Sequence, residues 1–292
     1  MQTKPVHVQC VYGKSDLPHI ENNFIPALRR TVNRPVRLLA INYDPHSSAR
    51  LRSGQIEGVE VVDVPNTSTT NTGFGENHNT LFHAHPPVDS FVIINPDCIP
   101  QEGSIDALFS RKASSESEGK VAIVEGRQWP FEHPKEYDPV SLKTPWASGA
   151  FLLIDSDFYK RVGGMDEIYF LYLEDVDLSW QAWLNGYSVL YEPAAATIHF
   201  SSGKFYRDDL VYYENYLNLR NFLILSKKFF GQKGEAAAVA MLKVFPDREL
   251  ADHAIQEYFS FYQKRVTHAY QGKDHSMVRI LGLNQFHKMR IV

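Results

Sequence analysis

Along the first hundred residues, apolar positions fall in short runs separated by polar or helical stretches, the alternation that a parallel sheet with crossover helices requires. Residues 6–12 read as a first strand ending at Gly13, 22–30 as a short helix, 36–41 as a second strand entering the polar loop Asn42-Tyr43-Asp44-Pro45, and 58–64 as a third. The Thr-, Asn- and Gly-rich stretch 66–75 predicts an irregular loop before a helix at 77–84. A strongly apolar strand at 91–94 is then stopped by Asn95-Pro96-Asp97. In open α/β sheets ligands sit outside the carboxyl ends of the strands, where these polar loops fall.

The middle of the chain is less periodic. Residues 111–120 read as a solvated loop or a frayed helix end, and the proline-bearing stretch 129–144 predicts no regular structure. Order returns with a strand at 150–154 and a helix capped by Asp155 or Asp157 and stopped by Gly163-Gly164. A better-marked helix covers 174–185: Val176, Trp180, Trp183 and Leu184 share one face, Glu174, Asp175 and Asp177 fill the first turn, and Gly186 ends it. A strand at 187–191 leads through Pro193 to Ile198 and His199, and helices at 212–230 and 235–244 dominate the C-terminal part of the chain.

A chain of 292 residues with 43% apolar residues can bury one large core and a smaller appendage. With 22% charged residues and a formal net charge of -4, it lacks the basic balance of a nucleic-acid binder, and nucleic acid is not an expected partner. The opening MQTKPVHVQC has no basic-then-apolar leader pattern, and no stretch approaches the roughly 18 to 20 apolar residues that span a bilayer, which predicts a cytoplasmic protein. Cys10 and Cys98 have neither zinc-ligand spacing nor the density of a disulfide scaffold, and read as buried free thiols.

Three places carry candidate chemistry. A carboxylate at Asp97, held at the end of a buried strand, could bind a hard divalent cation whose other ligands are phosphate and water, although Asn-Pro-Asp is also an ordinary turn. Glu174 and Asp175 open a helix, where the dipole favours negative charge, and a carboxylate there also suits a general base for an incoming hydroxyl. His199, at a strand end, is either a loop histidine or a metal ligand.

Segments 8–13 (VQCVYG), 71–79 (NTGFGENHN), 91–97 (FVIINPD), 146–154 (WASGAFLLI), 162–170 (VGGMDEIYF), 171–178 (LYLEDVDL) and 185–191 (NGYSVLY), then His199 and Arg220-Asn221, form an ordered set. Together they resemble the family-2 glycosyltransferases, especially the bacterial branch of rhamnosyltransferases that build surface polysaccharides. The likeness covers about residues 6–225.

This resemblance implies the α/β GT-A fold, a Rossmann-like mixed sheet flanked by helices. Residues 1–205 would be the catalytic domain, with a nucleotide-sugar-binding half (1–100) and an acceptor-binding half (101–205), and 206–292 a mainly helical extension. The implied activity is inverting, metal-dependent transfer from a nucleotide-sugar donor, dTDP-L-rhamnose first and UDP-hexoses next, to a saccharide or lipid-linked acceptor. In the family's pattern Asp97 holds Mn²⁺ or Mg²⁺ against the donor diphosphate, His199 completes that site, and Asn95 stands where the first aspartate of the metal motif often is. Asp175 takes the acceptor proton, and Glu174 orients the acceptor or the base. Donor contacts fall on Tyr12, beside which Gly13 replaces the usual asparagine, and on Asp44 or Asn42 after the second strand. They also fall on Gly73, Phe74, Gly75 and Asn79, in a loop whose glycines permit close backbone approach. Trp146, Ser148 and Gly149 line the acceptor site; Asp166 either touches acceptor or sugar or stabilises its own turn.

Two other readings stay open: a protein of the same fold that binds nucleotide sugars or carbohydrate without turnover, and a sugar nucleotidyltransferase. The first expects a lost Asp97 or Asp175; the second expects a Gly-rich phosphate loop with a basic residue, of which Val11-Tyr12-Gly13-Lys14 is a poor version. Segment 218–230 (NLRNFLILSKKFF) reads either as ordinary packing with solvated Lys227 and Lys228 or as peripheral contact with the inner face of a membrane. A homo-oligomer is also left open.

Overall fold

The computed structural model describes residues 4–130, 132–133, 135, 137–200, 208–268, 270, 278–283 and 285–286. In chain order the elements are β1 (Val6–Tyr12), the short helices α1 (Leu17–His19) and α2 (Ile25–Leu28) joined by a π-helical turn (Ile20–Phe24), β2 (Val36–Asn42), β3 (Gly54–Ile56) and β4 (Val59–Val64). Then come α3 (Phe74–Ala84), β5 (Ser90–Ile94), β6 (Cys98–Pro100), α4 (Ser104–Ser115), β7 (Val121–Trp129), β8 (Phe151–Asp155), α5 (Ser156–Val162), α6 (Glu174–Leu184) and β9 (Ser188–His199). The chain continues through α7 (Asp208–Leu242) and α8 (Arg248–Glu257) to a small hairpin, β10 (Ile280–Gly282) and β11 (Gln285–Phe286).

Among the described residues, nine strands form one mixed sheet in the order β3-β4-β2-β1-β5-β8-β7-β9-β6. β4, β2, β1 and β5 run parallel, so their carboxyl ends open along one edge. Leu38 to Ile41 and Phe91 to Ile94 are buried without alternation, as strands covered on both faces must be. β8 lies antiparallel between β5 and β7, while β7 and β9 are parallel. β6 closes the far edge antiparallel to β9, pairing Cys98 with His199.

Most expected elements are present, with instructive departures. Residues 111–115, within the stretch read as a solvated loop or a frayed helix end, are the end of helix α4, and β7 itself was not legible from the pattern. Its apolar run Val121 to Val124 gives way to buried polar Glu125 and Gln128, which breaks the signal of a core strand. β9 continues past Pro193 to His199. α7 is two helical segments meeting at Gly231, whose φ of 63° is left-handed, close to the expected break between 230 and 235.

Segment 218–230 is core. Leu219, Phe222, Leu223, Ile224, Leu225 and Phe229 are buried, and Trp180 of α6 meets Phe229 edge to face at 5.1 Å. The lysines are not solvated as expected: Lys228 pairs with Asp166 at 2.6 Å and Asp177 at 2.7 Å, and Lys227 Nζ donates to the Gln263 carbonyl. No helix among the described residues is long and apolar enough to cross a membrane.

Candidate active site

The turn after β5 is built by backbone bonds. Asn95 N–H donates to the Ala150 carbonyl at 2.9 Å, and its own carbonyl accepts from Cys98 N–H at 3.1 Å. β6 then pairs with the end of β9, and Phe200 N–H donates to the Asp97 carbonyl at 3.1 Å. Two residues far apart in sequence thereby meet, with Asp97 Oδ1 3.4 Å from His199 Nε2. The other ring nitrogen of His199, Nδ1, lies 2.8 Å from Gln128 Oε1. An amide oxygen can only accept, so Nδ1 carries a proton and, in the neutral ring, Nε2 turns its lone pair toward Asp97. Two acceptors converge in this way when a proton or a cation lies between them.

Among the described residues, Asp97, Cys98 and His199 have donor atoms within 4.8 Å of one another. Burial pushes the Cys98 thiol well above its ordinary pKa, its sulfur lies 3.7 Å from the Ala150 carbonyl oxygen, and a soft sulfur suits a hard cation less well than oxygen ligands do. One carboxylate and one imidazole remain, a partial set suited to a divalent cation that keeps substrate phosphates and water as its other ligands. The residues therefore fit Mn²⁺ or Mg²⁺, with Gln128 fixing the tautomer of the histidine.

Gly149 and Ala150, before β8, join this turn to the second candidate centre. Gly149 N–H donates to Asp175 Oδ2 at 2.8 Å, and Val176 N–H to Oδ1 at 2.7 Å. Phe74 packs against Gly149: an added Cβ there would lie 3.2 Å from its ring. Burial raises the pKa values of both Glu174 and Asp175, and each feels the other. The environments differ, however. Asp175 has two backbone N–H donors and the positive charge of Lys135 to favour its ionised form, whereas Glu174 Oε2 is buried without a partner. The proton therefore resides on Glu174, leaving Asp175 as the carboxylate able to accept one.

The donor-side residues separate into those displayed and those enclosed. Tyr12 is fully buried; its hydroxyl donates to Asp63 Oδ1 at 2.7 Å and accepts from Leu51 N–H at 3.0 Å, so it positions Asp63 rather than offering a stacking face. Asn42 is enclosed as well, bonding the Ala49 carbonyl and Asp44 N–H. Asp44 accepts from His46 N–H in the same loop. An added Cβ on Gly13 would sit 2.6 Å from the ring of the exposed Tyr43, which would have to turn aside. Asp16 accepts from Gly13 N–H at 2.7 Å and feels the charge of Asp97, placing a further carboxylate at this edge that the sequence did not single out.

Gly73 and Gly75 are required by packing. A Cβ on Gly73 would come within 2.6 Å of the Phe170 carbonyl oxygen, and one on Gly75 within 2.9 Å of Met165 Cβ. Asn79 is likewise a stitch: its amide bonds Met165 O, Glu167, Met165 N–H and the Tyr159 hydroxyl. Asp166 is held by Lys228 and caps Ile168 N–H at 3.0 Å, the turn-stabilising alternative.

Among the residues expected to line the acceptor site, Ser148 N–H donates to Glu125 Oε1 at 3.0 Å, and Lys135 pairs with the same carboxylate at 2.5 Å. The Lys135 ammonium stands 4.1 Å over the Trp146 ring, whose rim meets His133. Glu125, Gln128, Glu132, His133, Lys135 and Tyr191 line a small cleft of about 20 Å³ beside this group. Glu125, Gln128 and Lys135 were missed because single polar residues in a strand or an irregular loop carry no spacing signal.

No protein-family model matches the chain. It is 27% identical over 234 residues to N-acetylglucosaminyl-diphospho-decaprenol L-rhamnosyltransferase of Mycobacterium tuberculosis, covering 65% of this chain and 75% of that one. It is 37% identical to rhamnosyltransferase WbbL of Escherichia coli over 68 residues, 23% of this chain and 26% of the relative. Among solved structures, S. aureus TarS 1-349 matches with a TM-score of 0.51 and 10% identity over 89% of this chain and 73% of that chain, a likeness of fold.

Proposed function

We propose that this chain, a rhamnosyltransferase-like glycosyltransferase of GT-A fold, is an inverting, divalent-metal-dependent enzyme that moves a sugar from a nucleotide diphosphate onto a lipid-linked saccharide. The observation that carries this reading is the juxtaposition made by residues 149–150. Ala150 holds the turn that presents Asp97, and Gly149 holds the carboxylate of Asp175. A site for a charged leaving group and a site for a base thus share one short segment.

Asp97 and His199 would hold the cation, whose chemistry is to offset the charge developing on the departing diphosphate. Asp175 accepts the proton of the acceptor hydroxyl. That oxygen forms its bond to the anomeric carbon as the bond to the diphosphate oxygen breaks, and the nucleotide diphosphate leaves with the electron pair. Single displacement from the opposite face inverts the configuration. Glu174, protonated, orients the acceptor or the base. The donor we favour is dTDP-L-rhamnose, supported by the two rhamnosyltransferase relatives. The lipid-linked acceptor is supported by the decaprenol-linked substrate in the name of the mycobacterial one.

A panel of nucleotide sugars incubated with Mn²⁺ or Mg²⁺ and a lipid-diphosphate-linked N-acetylglucosamine tests this. Metal-dependent nucleotide release from one donor, with an inverted linkage in the product by NMR, is the expected result. Absence of both turnover and binding for every nucleotide sugar would defeat it.

A further inference from the structure

The backbone immediately ahead of the carboxylate pair is strained. Tyr172 and Leu173 have φ values of 72° and 69°, two consecutive left-handed residues with side chains. This conformation crowds Cβ against the following carbonyl and persists only where its surroundings enforce it. Leu173 is the N-cap of α6, yet no side chain caps the helix there. An ordinary Ser or Asp cap would start a helix without this cost.

What enforces the turn comes from α7. Asn221, fully buried, donates from Nδ2 to the carbonyls of Leu171 at 2.8 Å and Tyr172 at 2.7 Å. Its Oδ1 accepts from Arg220 Nε at 3.0 Å and from a terminal guanidinium nitrogen at 2.8 Å. Because arginine only donates, the orientation of the Asn221 amide is fixed, with both N–H groups aimed at the turn. Arg220 is itself anchored, 3.3 Å from Glu257 and 4.7 Å above the ring of Tyr262.

We infer that Asn221, oriented by Arg220, is a positioning residue that holds the left-handed Tyr172–Leu173 turn and so aims the Glu174–Asp175 pair at the substrates. This inference rests on the transferase reading above. It makes the C-terminal helices part of the catalytic apparatus without bringing them to the reacting atoms. A carbonyl clamp that fixes two strained residues fixes the start of α6, and with it the distance between Asp175 and an acceptor hydroxyl held elsewhere.

The test uses the full chain and the donor it turns over, comparing wild type with Asn221→Ala, Arg220→Lys and Asp175→Asn. Displacement of a reacting group by an ångström costs on the order of 100-fold in rate. Asn221→Ala should therefore lose roughly 30- to 100-fold in kcat, with nucleotide-sugar affinity by calorimetry within about twofold and a shifted acid limb of the kcat–pH profile. Arg220→Lys keeps the charge facing Glu257 but cannot reproduce the paired N–H bonds to Asn221, and should show the same pattern more weakly. If Asn221→Ala does not fold, Arg220→Lys carries the comparison. Hydrogen exchange gives a readout independent of turnover: amides of 174–177 should exchange faster in the variants while those of β1 and β5 are unchanged. A lower melting temperature with unaltered kcat, pH profile and exchange at 174–177 would reduce Asn221 to a structural residue and overturn the inference. A wild type without turnover, with the exchange difference intact, would defeat the transferase reading and leave the clamp standing.

Discussion

Glu174 and Asp175 are adjacent, yet the fold treats their charges differently. Unfolded, Glu174 ionises near the ordinary value of about 4.3; folded, burial and the neighbouring Asp175 hold its proton to much higher pH. Below the unfolded value both states are protonated and the group costs nothing. As pH rises past it the unfolded chain gains by ionising, and the folded state loses stability until the folded value is passed. Glu174→Gln should therefore stabilise the protein at neutral pH by on the order of 1 kcal/mol, with the gain vanishing in acid, while lowering transfer. Thermal melts at neutral and acid pH read this, and coincident neutral melts would contradict the burial argument. Because the Asp175 pKa is also raised, a base at that position predicts that kcat falls on acidification at a pH above the ordinary aspartate value of about 3.9. At this scale the sequence singled out Asp97, Asp175 and His199, and the structure brings Asp97 to His199 and bonds Asp175 to Gly149 N–H. It concealed Asp16, Glu125, Gln128 and Lys135, which the sheet and its adjoining loops bring near the candidate site, and it gave no sign that the Asn79 amide joins two loops.

Among elements, close packing explains glycines that resemble ligand-binding glycines in a linear motif. The contact of Gly73 with the Phe170 carbonyl is backbone against backbone, so a methyl group cannot rotate away. Gly73→Ala should cost about 1–3 kcal/mol by separating α3 from the 165–170 loop, measurable in urea unfolding; an unchanged midpoint would show that the loop yields freely. The mainly apolar strands β1, β2 and β5 were legible in place and type. β7 was not, because the residues it turns toward the site are polar, and β6 was too short to register.

For the whole molecule, α6 is the junction. Its Trp180 side packs with α7 and α8, while Leu178 and Ala182 pack with the sheet strands, so the proposed division at 205–206 marks a change of element rather than a separation of cores. Lys228 of α7 is bound between Asp166 and Asp177, and Asp177 is fully buried with further bonds from Tyr169 and Gln181. Lys228→Met leaves that carboxylate without its counter-charge and should cost about 3–5 kcal/mol. Chemical denaturation monitored through Trp180 reports it, and a loss below about 1 kcal/mol, typical of an exposed pair, would show the network to be incidental. Composition anticipated a large core with an appendage, but not that the appendage would hold the turn at the centre of the site.

The most direct test of the central claim separates metal and donor binding from chemistry at the two centres. Donor affinity with and without Mn²⁺, and single-turnover transfer, are measured for wild type, Asp97→Ala and Asp175→Asn. The account predicts metal-enhanced donor binding in wild type and Asp175→Asn but not in Asp97→Ala, and a loss of transfer on the order of 10²–10⁴-fold in Asp175→Asn. Transfer that survives in Asp175→Asn, or donor binding indifferent to both metal and Asp97, would contradict it.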